Sequence, residues 1–334
     1  MSSHPPVSPN VTARSSALEG SIAVDGGRSG LRIARITGGD TIPLADGPGL
    51  PLLAGPDGPA DVAAAIIDPL ASAGVRPGTV PALVAGLTGV FEAFDRAPEV
   101  AAVLARHLGL ESCTITSDVV TSHLGALRGA PGVVAAVGTG TVALAIGPDG
   151  TWAKTDGWGF LLGDTGSGFD IGRRGLVAAL EYHDGRGGSG ALAAAARERF
   201  GRLEELTAKA YGAENPVALL ASFTPDVAAV ARAGDPVASR IWSDAADAVT
   251  RAVLGAAVSV FPPGVAAAVS WAGSLLGLDD LLRAPVVSRL RDARPELAMV
   301  APAGTGLDGA VALLDPEIHR RTSALHHHEG TAAG

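Results

Sequence analysis

The sequence contains a single cysteine, Cys113, among 334 residues. One thiol excludes an intramolecular disulfide framework and any zinc site built from several cysteines of this chain. We therefore expect a reducing, cytoplasmic setting. Lysine is also scarce: only Lys154 and Lys209 occur, and neither forms a Gly-Lys-Ser or Gly-Lys-Thr sequence. This excludes a Walker A phosphate loop.

Aromatic residues and positive charge are in short supply as well. Aromatics make up 4% of the chain, so Ala, Val and Leu must fill most of the core. The formal net charge of −9 disfavours nucleic acid as a partner, because binding phosphates requires a basic surface. With 47% hydrophobic and 18% charged residues, the chain can bury a sizeable core. Its length fits two domains of about 150 residues.

The uncharged runs of the sequence are interrupted, so we expect no membrane partner. Residues 252–278 are long enough to cross a bilayer, but Pro262-Pro263-Gly264 divides them into a helix, a turn and a buried strand. Residues 129–148 are divided by a glycine-threonine turn. The N-terminal segment lacks the apolar stretch of a signal peptide or an anchor.

Apolar periodicity predicts an α/β protein in which two lobes each open with a β-hairpin. One hairpin has strands over 21–25 and 31–36, and the other over 133–137 and 142–146. Further strands are predicted at 82–85, 114–120 and 265–271, and the strand at 114–120 runs into a helix that continues through Leu127. Other helices are predicted at 61–74, at 98–108, from 309 to 314 and at several places between 175 and 260. Residues 38–59, rich in Gly and Pro, are predicted to be loop.

These elements indicate the domain organisation. We expect a disordered N-terminal tail over 1–19, a first lobe over 20–120, a second lobe over 121–305 and a mobile tail over 321–334. The last helix, at about 306–320, is expected to return to the first lobe. His326-His327-His328 is interpreted as part of a solvated tail rather than as a metal site.

The first hairpin turn reads Asp25-Gly26-Gly27-Arg28-Ser29. Two glycines let the backbone approach an anion, Ser29 adds a hydroxyl donor, and Asp25 can hold the water shell of Mg²⁺. An ordinary hairpin turn also explains Asp-Gly. The second hairpin turn, Gly138-Thr139-Gly140-Thr141, offers two hydroxyls between glycines. Together the two turns suggest a clamp for the phosphates of a nucleotide.

Two further segments contain candidate functional residues. Asp118 stands where a strand meets a helix, so it is either a helix N-cap or a carboxylate that accepts a hydroxyl proton. Residues 156–168 are unusually rich in glycine, which suits a binding loop better than a core segment. In that loop Trp158 offers an apolar face for a sugar ring, and Asp164 can bind paired hydroxyls.

In this order, the motifs resemble those of the N-acetylglucosamine kinase and BadF-type ATPase group of the actin-like ATPase superfamily, from about residue 21 to residue 314. The resemblance implies two ribonuclease-H-like lobes with ATP and Mg²⁺ in a central cleft. It also implies a homodimer that transfers the γ-phosphoryl group of ATP to the 6-hydroxyl of an amino sugar.

The resemblance also implies roles for individual residues. Asp118 would be the catalytic base, Asp25 would hold Mg²⁺ through water, and Gly309-Ala310 would begin the closing helix. The ATP-binding residues would be Gly26, Gly27, Ser29, Gly138, Thr139, Gly140, Gly273 and Ser274. The residues that bind the sugar would be Asp118, Thr141, Gly157, Trp158, Gly159 and Asp164.

Three departures from the family pattern bear on the substrate. Arg28 stands where relatives usually carry Gly, Thr165 stands where several have Glu, and no Asn lies between Asn10 and Asn215 to hold the sugar. N-Acetylglucosamine, glucosamine and N-acetylmuramic acid therefore remain open as substrates. An ATPase activator with a shared iron–sulfur cluster is weakly supported, since it needs two cysteines per subunit. A non-catalytic sugar sensor is the other alternative.

Overall fold

The computed structural model describes residues 19–38 and 40–330, and these residues form two compact α/β units. The first unit takes the chain up to Gly129 and again from Gly304, and the second comprises Ala130–Ala303. Each unit contains one sheet with helices packed against it. The predicted α/β class with two lobes is confirmed. The central cleft stays a prediction, and all but the last residue of the tail predicted over 1–19 lies outside the described residues.

The strands and helices alternate along most of the chain. The strands are β1 (Ile22–Gly26), β2 (Leu31–Thr37), β3 (Asp40–Gly47), β4 (Ala82–Leu87), β5 (Ser112–Ser117), β6 (Gly132–Val137), β7 (Thr141–Ile146), β8 (Trp152–Asp156), β9 (Ala267–Ala272), β10 (Leu297–Met299) and β11 (His326–Gly330). The helices are α1 (Gly58–Ser72), α2 (Ala97–Leu108), α3 (Asp118–Ala126), α4 (Gly168–His183), α5 (Gly190–Phe200), α6 (Leu206–Gly212), α7 (Pro216–Ala221), α8 (Thr224–Arg232), α9 (Pro236–Val260), α10 (Ala284–Ala293), α11 (Gly306–Ala312) and α12 (Pro316–Arg321).

The sheet of the first unit has the described strands in the order β11-β5-β4-β1-β2-β3. Strand β1 is central: it pairs antiparallel with β2 and parallel with β4, and Ile22, Ala23 and Val24 are fully buried. A continuous apolar run suits a strand that is covered on both faces. Because β1, β4 and β5 are parallel, their carboxyl ends lie on the same side of the sheet, and Asp25 and Ser117 are both at these ends.

The sheet of the second unit has the described strands in the order β10-β9-β6-β7-β8. The hairpin β6–β7 is antiparallel, and β6 runs parallel to β9. The long helix α9 packs along β6, β7 and β8 with a stripe of buried side chains that includes Trp242, Val249 and Val253. Small residues such as Ala and Val make up most of this core, as the scarcity of aromatic residues predicts.

The loop predicted over 38–59 is wrong for its first half. Residues 40–47 form β3, which pairs antiparallel with β2 at the edge of the sheet. The strand is mostly exposed and contains Pro43, which an edge strand tolerates because one side of it makes no ladder hydrogen bonds. Two short strands, β8 and β10, also lacked a clear alternating pattern and were not predicted.

The mobile tail predicted over 321–334 is wrong over 326–330. These residues form β11, which pairs antiparallel with β5, and the Thr116 hydroxyl donates a hydrogen bond of 2.7 Å to the carbonyl of Leu325. The imidazole of His326 is therefore buried rather than solvated. Strand β11 covers a sheet edge that β5 would otherwise expose. Residues 331–334 lie outside the described residues.

The boundary between the units falls after Gly129, not after residue 120 as predicted. The reason is the packing of α3, which contacts β4 and α11 within the first unit. The return of the chain to the first unit begins at Gly304, and it carries α11 and α12 with it. The predicted boundary between the units lies too early in the chain, because the sequence of a helix that follows a strand does not show which sheet the helix covers.

Helices α3 and α11 cross with their backbones in direct contact. A Cβ atom added to Gly309 would overlap the carbonyl of Thr121 and lie 2.7 Å from the backbone nitrogen of Gly125. A Cβ atom added to Gly125 would overlap the carbonyl of Thr305 and lie 3.1 Å from the nitrogen of Gly309. Glycine is required at both positions because the two backbones leave no room for a side chain.

No single helix within residues 19–38 and 40–330 is long and apolar enough to cross a membrane. The pair Pro216–Arg232 and Pro236–Val260 passes the same length and composition test only when taken together, and it is bent by 116°.

We expect Gly309→Ala to lower the free energy of unfolding by about 1–3 kcal/mol, because the new methyl group forces α3 and α11 apart. Thermal or urea unfolding of the purified variant measures the loss. Gly212→Ala is the matched control, since Gly212 ends α6 with no atom near its Cβ position. If Gly309→Ala melts at the wild-type temperature, the close crossing of α3 and α11 is not as described.

Candidate active site

The glycines of the first turn have roles in packing as well as in the turn. A Cβ atom on Gly26 would lie 3.1 Å from Leu87 and 3.2 Å from Leu31, so a larger residue would disturb the core. The N–H of Gly27 donates to the carbonyl of Gly30 at 2.9 Å, which closes the turn. The amide of Gly27 is therefore already used. Contacts with an anion would fall to the exposed part of the turn, at Arg28 and Ser29.

Asp25 ends the apolar stretch of β1 and lies against the start of α11. Its side chain is 18% exposed, and one oxygen lies 3.7 Å from the exposed Arg32 guanidinium. A Cβ atom on Gly306 would lie 2.6 Å from Oδ1 of Asp25, so α11 begins directly beside the carboxylate. Burial raises the pKa of Asp25 above its ordinary value, and the positive charge of Arg32 opposes that rise.

Asp118 is the first residue of α3, immediately after β5. Burial, together with the negative charges of Asp25 and Glu92, raises its pKa to about 7. A hydrogen bond of 3.2 Å from the Ser117 hydroxyl and the N–H of Val119 act in the opposite direction. The carboxyl group is thus close to Asp25, and its pKa lies near neutral pH.

The N-cap interpretation of Asp118 does not hold. The N-cap of α3 is Ser117, and its side chain makes no capping hydrogen bond. The helix is instead fixed by its contacts: the Thr121 hydroxyl donates to the carbonyl of Asp118 at 3.0 Å and packs where Gly86 of β4 has no side chain. A part-buried carboxylate without a capping role is a candidate for chemistry.

The second turn is held against the start of α4. The N–H of Gly168 donates to the carbonyl of Gly138 at 2.8 Å, and the N–H of Phe169 donates to the carbonyl of Thr139 at 3.2 Å. Gly138 itself has no atom near its Cβ position, so one side of the turn is open. The open side is where a phosphate could approach the backbone.

Gly273, which the resemblance assigns to ATP binding, lies against this turn. Its φ angle is +82°, and a Cβ atom there would overlap the carbonyl of Val137 and lie 3.2 Å from the nitrogen of Gly138. Ser274 follows and is exposed. The structure thus brings two distant segments of the second unit together at one turn.

Residues 157–167 connect β8 to α4 and are called the tryptophan loop below. The Asp164 carboxylate accepts a hydrogen bond of 3.0 Å from the N–H of Thr141, and the N–H of Gly157 donates to the carbonyl of Thr141 at 2.9 Å. The loop is therefore tied to the second turn. The Thr141 hydroxyl is buried and has no hydrogen-bond partner within the described part of the chain. An unsatisfied buried hydroxyl at such a place marks a possible ligand contact.

Trp158 is the second residue of the tryptophan loop, and its side chain is 66% exposed. Its ring faces the Lys154 ammonium, with Nζ 4.3 Å from the ring centroid. Trp158 therefore does not belong to the core. Gly159 follows with a φ of +76°, a conformation that favours glycine.

Sequence reasoning missed the roles of two residues beside this loop. Lys154 donates to the carbonyls of Asp156 at 2.8 Å and Gly157 at 3.2 Å. The Asp156 carboxylate accepts hydrogen bonds from the N–H groups of Asp164 and Thr165. The available signal was an aspartate directly before the first glycine of the loop, a position that often accepts hydrogen bonds from the following backbone.

The structure groups the predicted site residues by unit. In the first unit it brings Asp118 to Asp25 and the Gly26-Gly27 turn. In the second it brings together the turn, the tryptophan loop and the Gly273-Ser274 segment; the predicted members are Gly138, Thr139, Gly140, Thr141, Gly157, Trp158, Gly159, Asp164, Gly273 and Ser274. The assembly of these two groups into one site stays a prediction.

Comparison with known proteins shows the family to which the chain belongs. The model of the BadF/BadG/BcrA/BcrD ATPase family matches residues 58–286. An N-acetylmuramic acid/N-acetylglucosamine kinase from Clostridium acetobutylicum is 33% identical over 85 residues, which are 25% of this chain and 28% of that protein. The chain thus matches less than a third of the length of this curated relative.

Two solved structures extend the likeness over most of the chain. A proposed N-acetylglucosamine kinase from Chromobacterium violaceum shares 30% identity at a TM-score of 0.71, covering 88% of this chain and 98% of its own. A second, from Porphyromonas gingivalis, shares 16% identity at a TM-score of 0.68, covering 89% and 99%, and supports the fold alone. The chain belongs to the BadF/BadG/BcrA/BcrD ATPase family and has the actin-like ATPase fold that its motifs predict.

Proposed function

We propose that the protein is an ATP-dependent hexosamine kinase that transfers the γ-phosphoryl group to the 6-hydroxyl of N-acetylglucosamine or a close relative. The observation that carries this proposal is Asp118, a part-buried carboxyl group at the carboxyl end of a parallel strand, with a pKa raised to about 7. Open α/β sheets bind their ligands at this edge.

A base with a pKa near neutral is well suited to phosphoryl transfer from ATP to an alcohol. It is deprotonated in a large fraction of molecules at neutral pH, yet it still holds a proton strongly enough to assist the hydroxyl. The remaining requirements are positioning and neutralisation of phosphate charge. We assign the phosphates of ATP to the exposed part of the first turn, which Gly26 and Gly27 shape and where Ser29 offers its hydroxyl, and to Gly138, Thr139 and Gly140 of the second turn. We assign the adenosine to Gly273 and Ser274.

The residues beside Asp25 fit a magnesium ion. Within the described residues, no group of three His, Cys, Asp or Glu side chains is placed to hold a metal. Mg²⁺ at kinase sites commonly takes one or two carboxylates and completes its shell with water and phosphate oxygens. Asp25, a part-buried carboxylate beside the first turn, supplies such a ligand directly or through water. When bound, the ion would neutralise phosphate charge.

The sugar is assigned to the tryptophan loop and its neighbours. Asp164 can accept hydrogen bonds from paired hydroxyls of the sugar, and the buried Thr141 hydroxyl can donate to the sugar. Trp158 offers an exposed apolar face, with Gly157 and Gly159 on either side. The names of the Clostridium and Chromobacterium relatives favour N-acetylglucosamine, with N-acetylmuramic acid next. Glucosamine remains the third candidate.

The two alternative functions are less well supported. An iron–sulfur ATPase activator would need accessible cysteines, whereas Cys113 is fully buried in β5. A non-catalytic sensor would have no use for Asp118 as a part-buried carboxylate with a raised pKa. The kinase proposal includes a cytoplasmic location, where ATP is available, and a homodimer.

An ADP-release assay with purified protein, Mg²⁺ and ATP tests the function. We expect N-acetylglucosamine, glucosamine or N-acetylmuramic acid to stimulate ADP release well above the background hydrolysis. Excess EDTA should abolish the activity and added Mg²⁺ should restore it. If none of the sugars stimulates ADP release, the kinase proposal is wrong. Activity that persists in EDTA would contradict the magnesium assignment alone.

Asp118→Asn separates catalysis from stability. We expect kcat to fall by roughly 10²–10⁴, the usual contribution of a positioned base. In the wild type, kcat/KM should rise with pH around a midpoint near 7, since only the deprotonated carboxylate accepts the proton. Steady-state kinetics against pH measure both effects. If the variant keeps more than about a tenth of kcat, a loss below 1.4 kcal/mol, Asp118 is not the base.

The same variant should be more stable than the wild type at alkaline pH. Because the pKa of Asp118 is raised from 3.8 to about 7 by folding, the folded protein binds the extra proton and loses stability as the pH rises through this range. Asparagine removes that dependence. Melting temperatures from about pH 5 to about pH 8 measure the difference. Asp61→Asn is the control, since Asp61 is exposed in the first turn of α1. This substitution should change neither kcat nor the pH dependence of the melting temperature.

Trp158→Ala should raise the KM for sugar and leave the KM for ATP and the melting temperature nearly unchanged, because the side chain is exposed. Trp152→Ala is the matched control, since Trp152 begins the same strand that leads to the loop and is also exposed. An unaltered KM for sugar in a folded Trp158→Ala variant would remove Trp158 from the sugar site.

A further inference from the structure

We infer that Asp156 is a positioning residue that sets the Asp164 carboxylate and the tryptophan loop for the sugar acceptor. The inference rests on the proposed function for the identity of the ligand. It concerns a residue to which neither the sequence motifs nor the family resemblance assigned a role. It depends on three features of the second unit: a closed ring of hydrogen bonds, two aspartates in a left-handed backbone conformation, and a close approach at Gly163.

The ring of hydrogen bonds links the second turn to both ends of the loop. The N–H of Thr141 donates to Oδ1 of Asp164 at 3.0 Å, and the N–H of Asp164 donates to Oδ1 of Asp156 at 2.8 Å. Asp156 is followed by Gly157, whose N–H donates to the carbonyl of Thr141 at 2.9 Å. Asp156 therefore holds the backbone of Asp164, and this backbone sets the direction of the Asp164 carboxylate.

Backbone strain shows that the ring is under constraint. Asp156 has a φ of +60° and Asp164 has a φ of +57°. A residue with a side chain rarely adopts this conformation, and aspartate tolerates it better than most. Such conformations persist where the surroundings over-determine them, and they concentrate at functional sites. Here Asp156 precedes the loop, Asp164 lies near its end, and the two strained residues are hydrogen bonded to each other.

The Asp156 carboxylate also fixes the end of the loop with its second oxygen. Oδ2 accepts a hydrogen bond of 3.2 Å from the N–H of Thr165. A Cβ atom on Gly163 would overlap Oδ1 of Asp156 and lie 2.9 Å from Cβ of Trp158, so the chain passes closely over the carboxylate at this glycine. Charged acceptors make stronger hydrogen bonds than neutral ones, which suits a group that closes a loop.

The other end of the loop is held by Lys154. Its ammonium group donates to the carbonyls of Asp156 and Gly157 and lies over the Trp158 ring. Asp156 thus receives contacts through both its carbonyl and its carboxylate. Loss of the carboxylate would release Asp164, Thr165 and the loop that joins them to Asp156, while the β7–β8 hairpin remains paired.

Two variants of Asp156 test the inference. Asp156→Gly keeps a residue that accepts positive φ but removes the carboxylate, whereas Asp156→Asn keeps one acceptor oxygen and tolerates the same conformation. We expect Asp156→Gly to raise the KM for sugar by about tenfold or more, with a KM for ATP close to wild type. Asp156→Asn should recover most of this loss. A residue with only a structural role would lower the melting temperature without separating the two KM values.

Asp149→Gly is the matched control. Asp149 accepts a hydrogen bond of 3.0 Å from the N–H of Thr151 in the turn that joins β7 to β8, at the opposite end of the same hairpin. This variant removes an equivalent carboxylate far from the tryptophan loop, and its KM for sugar should equal that of the wild type.

Hydrogen exchange provides a readout that does not depend on activity. In the Asp156→Gly variant, amides in peptides covering residues 157–166 should exchange faster than in the wild type, because those of Asp164 and Thr165 lose their acceptor. Unchanged exchange there would overturn the inference, as would faster exchange with unchanged kcat and KM for sugar. A wild type that shows no sugar-dependent ADP release would overturn the proposed function and the sugar part of this inference, and the exchange experiment would still decide whether Asp156 holds the loop.

Discussion

The crossing of α3 and α11 at Gly125 and Gly309 is the constraint on which the first unit depends. Only because neither glycine carries a side chain can the two backbones touch. This contact brings the end of the chain back to the first unit, and it places Gly306 beside Asp25. The same helix pair carries Asp118 at the start of α3. One steric requirement therefore positions the carboxyl groups from which we derive the chemistry.

Electrostatics then gives this arrangement its chemical character. Burial beside Asp25 makes the ionised form of Asp118 costly, and this cost appears as a pKa of about 7. The fold loses stability at alkaline pH by keeping the carboxyl group there. Asp118 lowers the stability of the fold at alkaline pH and does not cap its helix. Such a carboxylate is better explained by a role in a reaction than by a structural role.

The second unit uses hydrogen bonds and local strain instead. The Gly138–Thr141 turn is anchored to the start of α4, and the tryptophan loop is anchored to the turn through Asp164 and Asp156. Exposed apolar side chains such as Trp158 are thereby presented on a loop with defined ends. A rigid frame with an open surface is what selective binding of a small polar molecule requires.

The sequence by itself determined the α/β class, the two opening hairpins and the segments that contain the candidate site residues, because glycine turns and apolar runs are local signals. It did not reveal β3, because an edge strand without buried residues lacks a strong apolar pattern, or β11, whose His326 is buried in the strand that pairs with β5. Tertiary structure alone decided that Asp118 is not a helix cap and that Asp156 holds the tryptophan loop. Both conclusions depend on where the folded backbone begins the helix and which N–H groups it places around a carboxylate, and residue spacing along the chain does not encode that.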